Sequence, residues 1–114
     1  MSDCIFCKIV NGEIPALKVF ENESAIVIDD IQPAAKVHAL IITKTHYSDI
    51  LSADINNDAD LMRGVHDAVR EVARIKEVDG SGFRLICNCG DDGGQTVPHL
   101  HFHIIGGEKL RTSL

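Results

Sequence analysis

The chain has no tryptophan, one tyrosine and only four phenylalanines in 114 residues, so aliphatic side chains must fill whatever core it builds. Three prolines, no internal repeat and no low-complexity tract leave no candidate linker. Positive charge is also scarce. Eleven Lys and Arg, scattered singly, stand against 17 Asp and Glu, for a net charge of −6. Without a basic stripe the protein cannot release counterions along a long phosphate backbone, which excludes polymeric nucleic acid as a partner. A small phosphorylated ligand is not excluded, because backbone N–H groups and imidazoles bind phosphate without a positive surface. No apolar stretch approaches the roughly 20 residues of a membrane helix. The opening "MSDCIFCKIV" lacks a basic start followed by an apolar run, so a soluble, cytoplasmic protein with no membrane partner is expected.

What remains is 45% hydrophobic, enough for one domain spanning residues 1–114. "CIFCKIVNG" reads as a short helix ending at Asn11-Gly12. Lys18 to Phe20 and Ala25 to Ile28 read as a hairpin around Glu21-Asn22-Glu23-Ser24, and Val37 to Thr43 as a third strand buried on both sides. From Asp58 to Glu77, Leu61, Val65, Ala68, Val69, Val72 and Ile75 form an apolar stripe at three- and four-residue steps, the mark of one long helix. "FRLICNC" is a fourth strand, joined by the tight loop "GDDGGQTV" to a fifth. The expectation is an α+β domain with a five-stranded, mostly antiparallel sheet and both helices on one face.

The fifth strand raises the functional question. In "PHLHFHII", Pro98 to Ile105, His99, His101 and His103 alternate with Leu100, Phe102 and Ile104. A strand sends alternate side chains to opposite faces, so the imidazoles share one side and the apolar residues anchor the other. Three readings fit: a metal site, a catalytic imidazole with two supporting neighbours, or a histidine-rich surface. The preceding Gly93-Gly94-Gln95-Thr96 counts against the third, because such a turn can offer backbone and side-chain donors to an anion. Cys4-x-x-Cys7 and Cys87-x-Cys89 read, in a cytosolic chain, as metal ligation or burial before disulfide. Cys87 is expected in the core and His66 on the solvated side of the long helix.

"GGQTVPHLHFHIIGG" resembles the signature of the histidine-triad family, and "CIFCKIVNGEIPA", "IDDIQP", "KVHALIITKTH" and "FRLICNCGDDGG" extend the likeness over nearly the whole chain. Gly106-Gly107 and the compact length are similar to the Hint branch of purine-nucleoside phosphoramidases. The tail from Glu108 to Leu114 lacks that branch's usual tryptophan, and Cys89 stands where an acidic or polar residue is frequent. The resemblance implies a histidine-triad fold and hydrolysis at the α-phosphate of a purine nucleotide conjugate, with His101 as nucleophile, His103 on phosphate oxygens or leaving group, and His38 supporting the nucleophile. Neutral imidazole is a competent nucleophile near pH 7, and no metal is needed for that step. Carried over by position, Asp30 would accept from the ribose hydroxyls, Ile31, Phe6 and Ile9 would surround the base, and Asn88, Gly94, Gln95 and Thr96 would hold phosphate. It further implies a structural Zn2+ on Cys4, Cys7, His46 and His99, and a homodimer formed by the long helix and the strand Phe83 to Cys87. The alternatives are a dinucleoside polyphosphate hydrolase, a non-catalytic nucleotide- or zinc-binding module, and a zinc hydrolase with its metal on the triad.

Overall fold

The computed structural model describes residues 4–113. Helix α1 spans Ile5–Val10, strands β1, β2 and β3 span Lys18–Glu21, Ala25–Asp29 and Val37–Thr43, helix α2 spans Asp60–Ile75, and strands β4 and β5 span Phe83–Ile86 and His101–Gly106. The strands form one sheet in the order β1-β2-β3-β5-β4, and every pairing is antiparallel. The hairpin turn is held by Asn22, whose Oδ1 accepts the Ser24 and Ala25 N–H groups at 2.9 Å while its Nδ2 donates to the Gly64 carbonyl of α2. The turn is thereby tied to the helix that covers it. Gly64 is required at that crossing, because a Cβ there would lie 2.1 Å from Ser24 Oγ.

Strand β3 is central and almost wholly buried, as its unbroken apolar middle predicts. Its alternate residues feed two separate cores. Ala39 and Ile41 join Ala25, Val27, Phe102 and Ile104 beneath the α2 residues Leu61, Val65, Ala68 and Val72. Leu40 and Ile42 join Ile26, Ile28 and Phe6 on the opposite side, with Ile9 and Val10 packed against them. The helices therefore sit on opposite faces, which corrects the expectation that they share one. Alternation guarantees two faces to β3, and a strand apolar on both needs a cover on each. Fully burying residues such as Ile41 and Ile42, both 0% exposed, is worth about 1.5–3 kcal/mol each.

Helix α2 lies over β1, β2 and β3. It has no side-chain cap at Ala59, but Asp60 in its first turn and Arg74 in its last complement the helix dipole. Ile75, assigned to the apolar stripe, is 41% exposed, and His66 is exposed as expected. Strand β4 ends at Ile86, so "CNC" is not strand, and residues 87–100 between β4 and β5 form a long connection in place of the tight loop expected. Cys87 packs against the α2-side core, and burial pushes its thiol pKa up.

Candidate active site

His101 and His103 lie on β5 opposite Ile42 and Leu40 of β3, which puts both rings on the α1 face of the sheet. Leu100, Phe102 and Ile104 are buried in the α2-side core. The alternation in the sequence therefore holds for these residues. His99 precedes the strand and has no ladder position. Its ring is 0% exposed and is held by groups distant in sequence.

Hydrogen-bond partners assign the tautomer of each ring. A carbonyl can only accept, so His99 Nε2, 2.8 Å from the Thr43 carbonyl, carries a proton. Its Nδ1 lone pair then faces Cys4 Sγ at 3.2 Å, His46 Nδ1 at 3.0 Å and Cys7 Sγ at 3.6 Å. His101 Nδ1 lies 2.6 Å from the His99 carbonyl and is likewise the protonated nitrogen, leaving Nε2 with its lone pair. His38 Nδ1 accepts the Ala34 N–H at 2.9 Å, so its proton sits on Nε2 and is donated to His103 Nδ1, also at 2.9 Å. His103 therefore presents Nε2–H. Among the described residues His38 makes no direct hydrogen bond to His101; the nitrogen it holds belongs to His103, whose ring in turn packs against that of His101.

These rings are packed in series. His101, 6% exposed, has the Phe6 ring edge-on at 4.9 Å and His103 at 5.2 Å between centroids. Burial, reinforced by His101 and His38 and opposed by Asp30, lowers the His103 pKa to about 4. Burial also lowers that of His99. Both therefore stay neutral in the physiological range, as a hydrogen-bonding ring and a ligand require.

Cys4, Cys7, His46 and His99 bring four donor atoms within 4.8 Å of one another and could hold a metal ion. Two thiols and two imidazoles suit a tetrahedral site, and the His99 Nε2–H bond to Thr43 is the outer contact that typically orients a ligating ring. Burial and the neighbouring Cys4 raise the Cys7 thiol pKa, a cost a bound cation reverses. Asp30, His38 and His103 also converge within 4.8 Å. That trio does not fit a metal, because the Ala34 bond keeps the proton on the His38 nitrogen that would have to ligate.

The remaining candidates are placed unevenly. Asp30 is one-fifth exposed, with Oδ2 3.4 Å from His38 Nε2 and Oδ1 accepting the Gln32 N–H at 2.8 Å. Phe6 is buried and Ile9 half-buried beside it, while Ile31 is 96% exposed. The glycine loop differs from its reading as an anion-accepting turn. Gly94 and Gln95 donate their N–H groups to the Asp91 and Gly90 carbonyls, and the Gln95 side chain accepts from Gly90 and donates to Ser48 and Val97. Gln95 builds the loop and is not free for a ligand. Asn88 Nδ2 donates to the Gly93 carbonyl at 2.7 Å. Thr96 is exposed, and neither its N–H nor its hydroxyl has a partner among the described residues. Sequence reasoning missed Thr43 and Ala34. The only sign of Thr43 was a polar residue closing an apolar strand, and a backbone N–H such as that of Ala34 leaves no sequence trace.

Comparison with known proteins agrees with this fold. The HIT domain model matches residues 11–110. The chain belongs to the histidine-triad (HIT) family. It is similar to a histidine triad protein from Clostridium difficile, at 42% identity and TM-score 0.93 over 100% of this chain and 98% of that one. A HIT family hydrolase from Legionella pneumophila Philadelphia 1 matches at 36% identity and TM-score 0.91, over 97% and 98% of the two chains. An uncharacterized 13.2 kDa HIT-like protein of Azospirillum brasilense is 41% identical over 106 residues, 93% of this chain and 87% of that protein. The five-stranded antiparallel sheet with its two helices is the fold of these HIT structures.

Proposed function

We propose that this HIT protein is a nucleotide hydrolase that cleaves purine nucleoside 5′-phosphoramidates or related nucleotidyl conjugates at the α-phosphate. The observation that carries the reading is the 2.6 Å contact between His101 Nδ1 and the His99 carbonyl, which leaves the Nε2 lone pair free to attack. As the Nε2–P bond forms, the P–N bond breaks and its electron pair leaves with the amine. The ring then carries phosphorus on Nε2 and a proton on Nδ1, a cationic and hence labile leaving group. Water attacks phosphorus, the His101–P bond breaks, and the proton lost by the water balances the one the amine gains. His103, neutral and presenting Nε2–H, stabilises the phosphate oxygens together with Thr96 and Asn88. Asp30 accepts from the ribose, while Phe6, Ile9 and the exposed Ile31 flank the base. Cys4, Cys7, His46 and His99 would hold Zn2+, which would supply a structural cross-link.

The likeness to the HIT family hydrolase from Legionella pneumophila supports the reaction class. The choice of phosphoramidate over dinucleoside polyphosphate rests on the Hint-like motifs and is decided by kcat/KM on the two substrate types. His101→Asn tests the mechanism. Turnover should fall by several orders of magnitude with nucleoside monophosphate binding kept, and rapid quench of the wild type should trap nucleotidyl-His101. Turnover that survives the substitution refutes it. The active unit proposed is a homodimer, supported by the open edge of β4 and by Phe83 and Leu85, which are 37% and 48% exposed on a part of the sheet that α2 leaves uncovered.

A further inference from the structure

Lys18, Lys44, Arg63, Arg74 and Lys76 are each committed to a carboxylate in an ion pair. Arg84, Lys109 and Arg111 form no ion pair among the described residues, and all three line one cavity of about 520 Å³. On a chain of net charge −6 this is a local gathering of positive charge. The cavity's one carboxylate, on Glu108, already accepts the Lys36 N–H at 2.8 Å, so it offsets those cations only in part.

The cavity lies where the chain leaves β5. Its walls are the start of β4 and residues 107–112, which fold back beside that strand. Glu108 ties this tail to the segment before β3, and the Arg84 guanidinium ties it to β4 by donating to the Arg111 carbonyl. That bond holds the half-buried Arg84 fork in place and leaves its other N–H groups for a ligand. Ser81 and Thr112 add hydroxyls to the same walls, and Phe83 and Leu110 add an apolar part. Arg84 pairs with Ile105 and Ile86 with His103, so the cavity sits beyond the catalytic rings and shares no residue with their site.

The shape and charge narrow the ligand. A planar carboxylate takes donors near its own plane, whereas the tetrahedral oxygens of a phosphate take them from several sides, as cations carried by a strand and by a separate tail require. A cavity of about 520 Å³ falls within the range of small-molecule sites and exceeds what one inorganic phosphate fills. We propose that this cavity is a second ligand site that binds a small, multiply charged phosphorylated molecule, with Arg84, Lys109 and Arg111 on its phosphates and Phe83 and Leu110 against the remainder. The inference stands apart from the hydrolase reading, whose failure would leave this site unaffected.

The test titrates pyrophosphate into 15N-labelled full-length protein in about 0.15 M NaCl, where a screening length of about 8 Å suppresses diffuse attraction. The Arg84 and Arg111 signals should shift and saturate with a dissociation constant below about 1 mM, and should do so equally with AMP present. Lys109→Gln combined with Arg111→Gln should weaken binding about tenfold or more, while leaving the Arg84 bond to the backbone carbonyl in place. Arg84→Lys, which keeps the charge and loses the fork, should bind more weakly than the wild type and more tightly than Arg84→Gln. Shifts that never saturate, or binding unchanged in the double variant, overturn the proposal. Shifts confined to His101 and His103 and abolished by AMP give pyrophosphate to the histidine site and overturn it equally. The start of β4 also borders the edge proposed for a second chain. If pyrophosphate leaves the wild type unchanged and the double variant halves the mass in light scattering, these cations serve that chain and the ligand site is refuted.

Discussion

The Ala34–His38–His103 chain can be cut at either end. In His38→Asn the shorter side chain keeps an acceptor near the position of Nδ1, within reach of the Ala34 N–H, but loses the donor to His103. In His38→Gln the terminal amide can still reach His103, while the bond to Ala34, 2.9 Å in the native protein, is lost. The residue is 8% exposed, so both changes register in stability. For Asn the missing hydrogen bond costs about 1 kcal/mol and the partly orphaned His103 Nδ1 about another 1. The small void adds about 0.5–1 kcal/mol, for a total near 2–3 kcal/mol and a Tm lower by about 10–15 °C. For Gln the cost is about 1 kcal/mol, because Ala34 is exposed and water replaces its partner. Catalysis should rank the other way from backbone satisfaction: Asn, with His103 free to rotate or change tautomer, should lose about 10- to 100-fold in kcat/KM, and Gln distinctly less. Thermal melts and steady-state kinetics on the two variants check this. Equal activity in Asn and Gln, or wild-type activity in Asn, would refute the role assigned to the His38–His103 bond.

Acid should destabilise the fold through His103. Its native pKa of about 4 lies below the usual imidazole value of 6.5, so between those limits the unfolded chain binds more protons. Stability is then full above about pH 6.5 and declines as pH falls toward 4. Urea midpoints across that window measure it, and a flat profile would contradict the burial assigned to His103. Gly64→Ala should cost about 1–3 kcal/mol, since the added Cβ would sit 2.1 Å from Ser24 Oγ. Ser24→Gly in the same chain should recover most of the loss in denaturant melts, and additive effects would show that the crossing is not the cause. Leu85→Glu, on the uncovered side of β4, should convert a two-chain mass to one chain in light scattering; a wild-type mass of one chain at micromolar concentration removes the dimer.

Local pattern made some of this protein legible without coordinates. The three- and four-residue spacing from Leu61 to Val72 specifies a helix, and the alternation from Leu100 to Ile104 specifies which side of β5 is buried, because period and burial follow from backbone geometry alone. The apolar run in β3 likewise implied a strand covered on both sides. Where the covers came from was not local, and it took the packed chain to put α1 and α2 on opposite faces. The chemistry divides in the same way. Histidines two apart announce a site, but a ring's reactivity depends on which nitrogen carries the proton, and that is decided by groups 56 residues away at Thr43 for His99 and 65 residues away at His38 for His103. Gln95 shows the reverse case: a side chain that looks available in sequence is consumed by the carbonyls of Ser48 and Val97 once the loop closes. Residue types and their period are local properties of the sequence, whereas the hydrogen-bond partners that set the tautomers of His99 and His103 exist only where distant segments meet.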